Sequence, residues 1–572
     1  MATYVSNFLV LPDEILLEIY KYLLNLHVLY SFYGLNKRLN TCIIGYCRHI
    51  SLADVTCYQS HYLCRSILPE IGSQIRSLLI SNCRSVLQGK IFSQYFSHQM
   101  SKIFPHLQKL ILICFTADEL NIFLDTLNNL SNLNQIEISD LLTDQPNLFK
   151  HVVETNNNRF TSIKFKTSYS DLPTCPCLNV SDLTISIQTL EKLPDFLSII
   201  PNIRRLNVTV DEISMMEAKF DNLSPLIFLK YFFLRCYNHF WLLEELKSLF
   251  EKIPTVECLS LQLSSQDNYF VNSEQKIFNI LPQTIREFNF SLRYFYDTIE
   301  EIDQNALITS RFPMICLIDE NLQQAVLHTI PYKFPLFNIS SPMAKKMSTF
   351  ENYKNVDMFY DYHGMTLADT FPIIARCRRI KEIAIQLYEK NDEPPSVQQP
   401  LISLPYLYYL KRIWLLHSSR EYNSLKLLLQ IAPNLSELFI AFDNLLPIFD
   451  DKDTCQLLGK HIIHLLILRS TVTAPTQLTE QYIPYLVKIF THLRHLQVDV
   501  TNGISIETIT LSIINAFKEK SQLISLVVEG QSSCNELKLN ARKWLIDNTH
   551  LTIDKIFDTE FKEQTNRFLL WM

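Results

Sequence analysis

The sequence predicts an α/β chain: a short N-terminal helical module followed by a curved β/α solenoid with a parallel inner sheet. Three observations predict it. An apolar-x-x-apolar-x-apolar phrase recurs seventeen times along the 572 residues. Helix-period segments lie between the phrases. An unusually apolar segment, Leu11 to Leu39, stands ahead of them all. A chain of this length exceeds one compact core, and internal repetition favours an extended array.

The middle residues of the phrase are Leu78, Leu110, Ile136, Ile163, Leu183, Leu206, Phe232, Leu259, Phe288, Ile315, Val356, Ile383, Ile413, Leu438, Leu465, Leu496 and Leu526. Their spacing is mostly 20 to 32 residues, the range of stacked supersecondary units. Leu438-Phe439-Ile440 and Leu496-Gln497-Val498 alternate with the period of a strand that has one buried face. Between them, 118–130, 242–253 and 508–517 carry apolar residues three and four apart, the period of a helix. Proline and a polar residue precede several strands, as in Pro105-His106-Leu107, Pro201-Asn202-Ile203 and Pro433-Asn434-Leu435, and end the helix before the strand. The gap between Ile315 and Val356 holds Pro331, Pro335 and Pro342 and reads as an irregular insertion over about 316–355.

The N-terminal module begins at Pro12-Asp13, with Glu14 placed to complement the helix dipole. In Ile15 to Leu24, eight of ten side chains are apolar or aromatic, so the apolar stripe wraps most of the cylinder. About forty residues are too few for a self-contained core, so the first repeats or a partner chain must cover that face. An N-terminal cap on the repeats is the alternative to a docking module, because end repeats need covering. The tail, 541–572, with Trp544, Phe557, Phe561 and Trp571, reads as the opposite cap.

Composition narrows the chemistry. Lys plus Arg is 52 against 58 for Asp plus Glu, a net charge of −6, which provides no excess for a phosphate backbone; no nucleic acid partner is expected. The eight glycines are never within ten residues of one another, which excludes GxGxxG, GxxxxGK and GxSxG turns. The fourteen cysteines are scattered, and reduced intracellular thiols are expected. Lys230, Arg235, Asn238 and His239 interrupt the most apolar stretch, 226–243, so no membrane segment is expected.

The pairs His461/His464 and His492/His495 each set one histidine before a strand and one inside it, with no third ligand, so no metal is expected. Asp450, Asp451 and Asp453 read as a helix start. Arg376, Arg378, Arg379 and Lys381, with Lys411 and Arg412 a repeat later, read as solvated surface. No cysteine is tied by any signature to a histidine base, and no enzyme active site or cofactor is expected. The strand positions that alternate with the buried ones should face the concave side. There lie Tyr231, Phe233, Arg235, Arg412, Trp414, Glu437 and Phe439, aromatic and charged types that anchor protein interfaces, and they are the candidate substrate-binding residues.

The LxxLxL phrase over residues 75 to about 530 resembles the leucine-rich repeat family, whose units stack a parallel sheet on the inner side of a curved rod. The family's Asn or Cys after the strand appears at positions such as Cys114 and Cys236. Leu11-Pro12-x-Glu14-Ile15, Ile19-x-x-Tyr22-Leu23 and Leu35-Asn36-Lys37-Arg38-Leu39 together resemble an F-box, the unit that docks on the Skp adaptor of cullin-RING ubiquitin ligases. By that resemblance Leu11, Pro12, Ile15, Leu16, Ile19, Tyr22, Leu23, Lys37 and Leu39 contact the adaptor. The organisation expected is 1–48 F-box-like, 49–540 repeat solenoid and 541–572 cap. The resemblance implies a substrate-recognition subunit of a Skp/cullin/F-box-type ligase in the cytoplasm or nucleus, with cullin-RING subunits and a protein substrate as partners. The other reading is a repeat-built scaffold or inhibitor that binds proteins without any ligase.

Overall fold

The computed structural model describes residues 11–143, 147–156, 158–169, 173, 176–213, 218–271, 276–299, 302, 312–347, 350–361, 370–385, 404–416, 422–469, 478–500, 504–518, 523–552 and 555–572. Two compact units appear: 1–211 with 571–572, and 212–570.

The first unit opens with three short helices, α1 (Asp13–Tyr20), α2 (Asn25–Phe32) and α3 (Lys37–Tyr46). Asn36 caps α3 by accepting from the Leu39 N–H at 2.8 Å, and Arg38 Nε ties α3 to α1 through Asp13 Oδ1 at 2.7 Å. Leu16, Tyr20, Leu26, Val28, Leu29, Leu39 and Ile43 are buried, and the Tyr20 ring packs 5.6 Å from Phe32 and 5.8 Å from Tyr46. The first repeats share in that burial, as expected from the module's length: α2 packs on the first strand, the Tyr33 hydroxyl donates to Glu70 Oε2 at 2.7 Å, and the Tyr30 ring meets Tyr62 edge-on at 5.7 Å.

Seven strands follow: β1 (His49–Ser51), β2 (Ser77–Ser81), β3 (Lys109–Ile113), β4 (Gln135–Ser139), β5 (Ser162–Tyr169), β6 (Asp182–Ile187) and β7 (Arg205–Val210). Each pairs in parallel with the next, in chain order. Helices on the return path bury one stripe each; in Ala117–Leu127 that stripe is Leu120, Phe123, Leu124 and Leu127, and Thr116 with Glu119 forms the capping box. The last two residues also belong to this unit: Trp571 Nε1 donates to the Val55 carbonyl and Met572 O accepts from the Cys57 N–H, both at 3.0 Å.

In the second unit, β8 (Tyr231–Phe240), β9 (Cys258–Ser265) and β10 (Glu287–Phe295) run parallel, and the hairpin β11 (Met314–Asp319) and β12 (Gln324–Thr329) adds antiparallel to β10 through β12. A ten-stranded sheet follows: β13 (Leu336–Phe337), β14 (Met358–Asp361), β15 (Glu382–Ile385), β16 (Arg412–Leu415), β17 (Glu437–Ala441), β18 (His464–Leu468), β19 (His495–Asp499) and β20 (Ser525–Glu529) in chain order, then β22 (Arg567–Trp571) and β21 (Asp558–Lys562). From β13 to β20 all pairing is parallel.

The phrase is a register mark. Fifteen of its seventeen middle residues stand opposite one another in the ladders: Leu78 through Leu206, Phe232 through Phe288, and Ile383 through Leu526. Ile315 departs, because β11 pairs antiparallel and sets it opposite His328. Val356 departs as well; Phe359 holds the register against Ile383. Over 316–355, where the proline-rich spacing reads as an irregular insertion, lie the hairpin, the short strand β13 and a buried ring cluster of His328, Tyr332, Phe337 and Tyr353.

The polar residue of the proline turn does more than stop a helix. Asn202 Nδ2 donates to the Leu178 carbonyl at 2.9 Å and Asn434 Nδ2 to the Tyr408 carbonyl at 2.7 Å, each reaching back one repeat. Thr255 and Thr284 hydroxyls make the equivalent links to Leu229 and Val256 carbonyls. Such bonds satisfy turn carbonyls and join successive repeats.

The expectation that the cysteines are reduced needs one correction. Cys83 and Cys114 are disulfide-bonded, their Cα atoms 5.4 Å apart and 31 residues apart in sequence. That separation is one repeat, and the register Ser81↔Ile113 brings the two strand ends together. Eleven other cysteines are free, and Cys175 lies outside the described residues.

Candidate binding faces

Alternation places every second residue of β14 to β20 on the face away from the buried phrase residues. Two rows cross that face. One runs Glu382, Arg412, Glu437, His464, His495, Ser525; the other runs Tyr360, Ala384, Trp414, Phe439, Leu466, Gln497, Val527.

The first row is a chain of polar contacts. Arg412 Nε donates to Glu437 Oε2 at 2.7 Å and its Nη1 to Glu382 Oε2 at 3.1 Å, while the Tyr360 hydroxyl donates to Glu382 Oε1 at 3.0 Å. Burial alone would lower the Arg412 value, but Glu437 and then Glu382 outweigh it and raise the guanidinium further above its ordinary range. His495 Nδ1 lies 2.9 Å from Ser525 Oγ. In the second row the Trp414 and Phe439 rings are 4.0 Å apart; Arg412 stands 5.5 Å over Phe439, and His464 meets Phe439 edge-on at 5.2 Å.

Of the residues expected on an open face, the structure thus gathers Arg412, Trp414, Glu437 and Phe439 into one cluster. Glu437 and Phe439 are buried within it and not exposed, because the neighbouring rows cover them. Sequence reasoning missed Tyr360, Glu382, His464 and His495 as members; equal position in successive phrases was the signal. His464 and His495 are register partners with rings 5.9 Å apart, whereas His461 Nδ1 turns to the Pro433 carbonyl at 3.2 Å. Among the described residues no group of three or more His, Cys, Asp or Glu is placed to hold a metal. Asp451 caps Lys452–His461, accepting from the Asp453 and Thr454 N–H groups.

Tyr231, Phe233 and Arg235 belong to a different sheet. Tyr231 is exposed at the start of β8. Phe233 packs on Phe334, 6.0 Å between ring centres, so this chain already covers it. Tyr332, beside Phe334, donates its hydroxyl to the Leu336 carbonyl at 2.8 Å and accepts from Gln262 Nε2 at 3.4 Å. Arg235 is half-buried, its guanidinium carbon 5.9 Å from the Tyr237 ring centre.

On the N-terminal helices, Leu16 and Leu39 are interior. Pro12, Ile15, Tyr22 and Lys37 are exposed, and Leu11, Ile19 and Leu23 half-buried. Ile15 is 46% exposed and Tyr22 88%, and Leu24 and Leu35 are exposed as well. No helix among the described residues is long and apolar enough to cross a membrane.

These registers define a stack of leucine-rich-repeat-like β/α units in which mostly parallel strands present one face to the helices and a second, polar and aromatic face opposite. No protein-family model and no curated protein matches the sequence. Among solved structures the chain is similar to that of the TLR13–ssRNA13 complex, at 11% identity and a TM-score of 0.26, over 91% of this chain. The chain spans 64% of that protein's length.

Proposed function

We propose that this chain is a recognition subunit of a Skp/cullin/F-box-type E3 ubiquitin ligase, with the N-terminal helices docking on the Skp-type adaptor and the repeat faces binding a protein substrate. The observation that carries this reading is the exposure of four large apolar side chains, Ile15, Tyr22, Leu24 and Leu35, within one short N-terminal segment. Several exposed large apolar side chains in one segment favour a protein contact there. The order Leu11-Pro12-x-Glu14-Ile15 supports the F-box assignment of that contact. The contribution to reaction is proximity: the repeats hold a substrate near a ubiquitin-charged enzyme supplied by other subunits, and no residue of this chain performs bond chemistry. Such a subunit acts in the cytoplasm or nucleus.

The test is capture of a purified Skp-type adaptor by the full chain. Wild type binds, and Tyr22→Asp, which adds a charge at a site that does not disturb the core, removes capture. Absence of capture by wild type ends the ligase reading.

A protein-binding repeat scaffold without a ligase is the second reading, and two observations favour it. Asn25 Nδ2 donates to the His49 carbonyl of β1 at 2.7 Å, as a cap on the first strand would. The Cys83–Cys114 bond is of a kind that persists in oxidising compartments.

A further inference from the structure

The open face of β8 to β10 changes character at Arg235. Below it, Phe233 is covered by Phe334. Arg235 itself begins the row Arg235, Gln262, Ser291, His328, of which the last three are buried. Its guanidinium carbon lies 5.9 Å from the centre of the Tyr237 ring, and that of Arg293 on β10 lies 5.0 Å from the same ring. Two guanidinium groups therefore approach one aromatic ring. Exposed Tyr231 and Phe240 flank them along β8.

Arg235 differs from Arg412 in the other sheet. Arg412 is neutralised by two carboxylates, whereas no carboxylate among the described residues hydrogen-bonds to Arg235 or forms an ion pair with it. A half-buried guanidinium has lost part of its hydration without gaining a counter-charge, so an arriving anion restores Coulomb energy that folding left unsatisfied. The protein's net charge of −6 repels anions overall, so an acidic ligand is drawn by Arg235 locally and not by the average field.

We propose that the notch at Arg235 and Tyr237 binds an acidic segment of a protein partner, an Asp or Glu carboxylate seating on Arg235. Apolar neighbours in the segment lie against Tyr231 and Phe240. This rests on the reading of the repeat faces as partner-binding surfaces and is independent of adaptor docking at the N-terminal helices.

The full chain is titrated against fluorescein-labelled hexaglutamate and hexalysine peptides at low ionic strength, followed by fluorescence anisotropy. Hexaglutamate binds and hexalysine does not. Arg235→Gln weakens hexaglutamate about tenfold, the loss expected for one charge-assisted contact, while Arg235→Lys retains most of it. Arg286→Gln, whose side chain pairs with Glu257, leaves binding unchanged. No anisotropy change with hexaglutamate, equal binding of both peptides, or full binding by Arg235→Gln overturns the proposal; so does a phosphoserine peptide that binds where hexaglutamate does not. The adaptor capture test reads a different surface, so either proposal can fail alone.

Discussion

Arg412 Nε and Glu437 Oε2 stand 2.7 Å apart on adjacent parallel strands, and the second carboxylate that the same guanidinium holds, Glu382, comes from the strand on its other side. One cation thus bolts three repeats together. The Glu437 side chain is 6% exposed and that of Glu382 12%, so neither has water to fall back on.

Arg412→Met removes the guanidinium that two nearly buried carboxylates share. The loss of stability is about 2 kcal/mol, below the 3–5 kcal/mol of a fully buried pair because the guanidinium is 36% exposed. Urea unfolding of wild type and variant measures it; an unchanged midpoint rejects the bolt.

His328 gives the second unit an acid-sensitive core. Burial among Tyr332, Phe337 and Tyr353 lowers it from 6.5 to about 4, so it is neutral in the fold. The unfolded chain takes up that proton near 6.5. Stability from this site is complete above about pH 6.5 and falls as pH drops towards 4, by about 3 kcal/mol across the window. His328→Gln flattens that part of the profile. An identical pH dependence in variant and wild type contradicts the assignment.

Two glycines in helices respond to alanine with opposite sign. A Cβ on Gly459 would lie 2.5 Å from the Ile489 carbonyl oxygen, backbone that cannot yield, and Gly459→Ala destabilises by about 1–3 kcal/mol. Gly45 in α3 has nothing within 4 Å, so Gly45→Ala stabilises the helix by about 0.5–1 kcal/mol. Thermal melts of the pair decide; shifts in the same direction contradict the packing argument.

The Cys83–Cys114 bond closes a loop of 31 residues, for which chain entropy gives about 3–4 kcal/mol. Cys83→Ser lowers the thermal midpoint of the first unit, and dithiothreitol lowers wild type to the same value without affecting the variant. If reductant leaves wild type unchanged, the bond does not form in solution.

Much of the fold was legible because the phrase is a hydrophobic ruler: burying one face of successive strands requires the same residue to stand in the same place, and Leu438, Leu465 and Leu496 do so. The candidate faces were only partly legible. Phe439 and Glu437 sit at alternating positions, but burial there depends on what stands a strand away, and Trp414 and Arg412 come from another repeat.

By itself, then, the sequence determined the strand period, the strands' inward residues, the helices between them and the apolar surplus at the N-terminus, since each is a local pattern repeated in the chain. Only tertiary structure decided that Ile315 belongs to an antiparallel hairpin, that Phe334 covers Phe233, that Leu16 and Leu39 are interior, and that Cys83 reaches Cys114. Those outcomes depend on which segments meet, and periodicity records the spacing of apolar residues along the chain without recording what lies across from them.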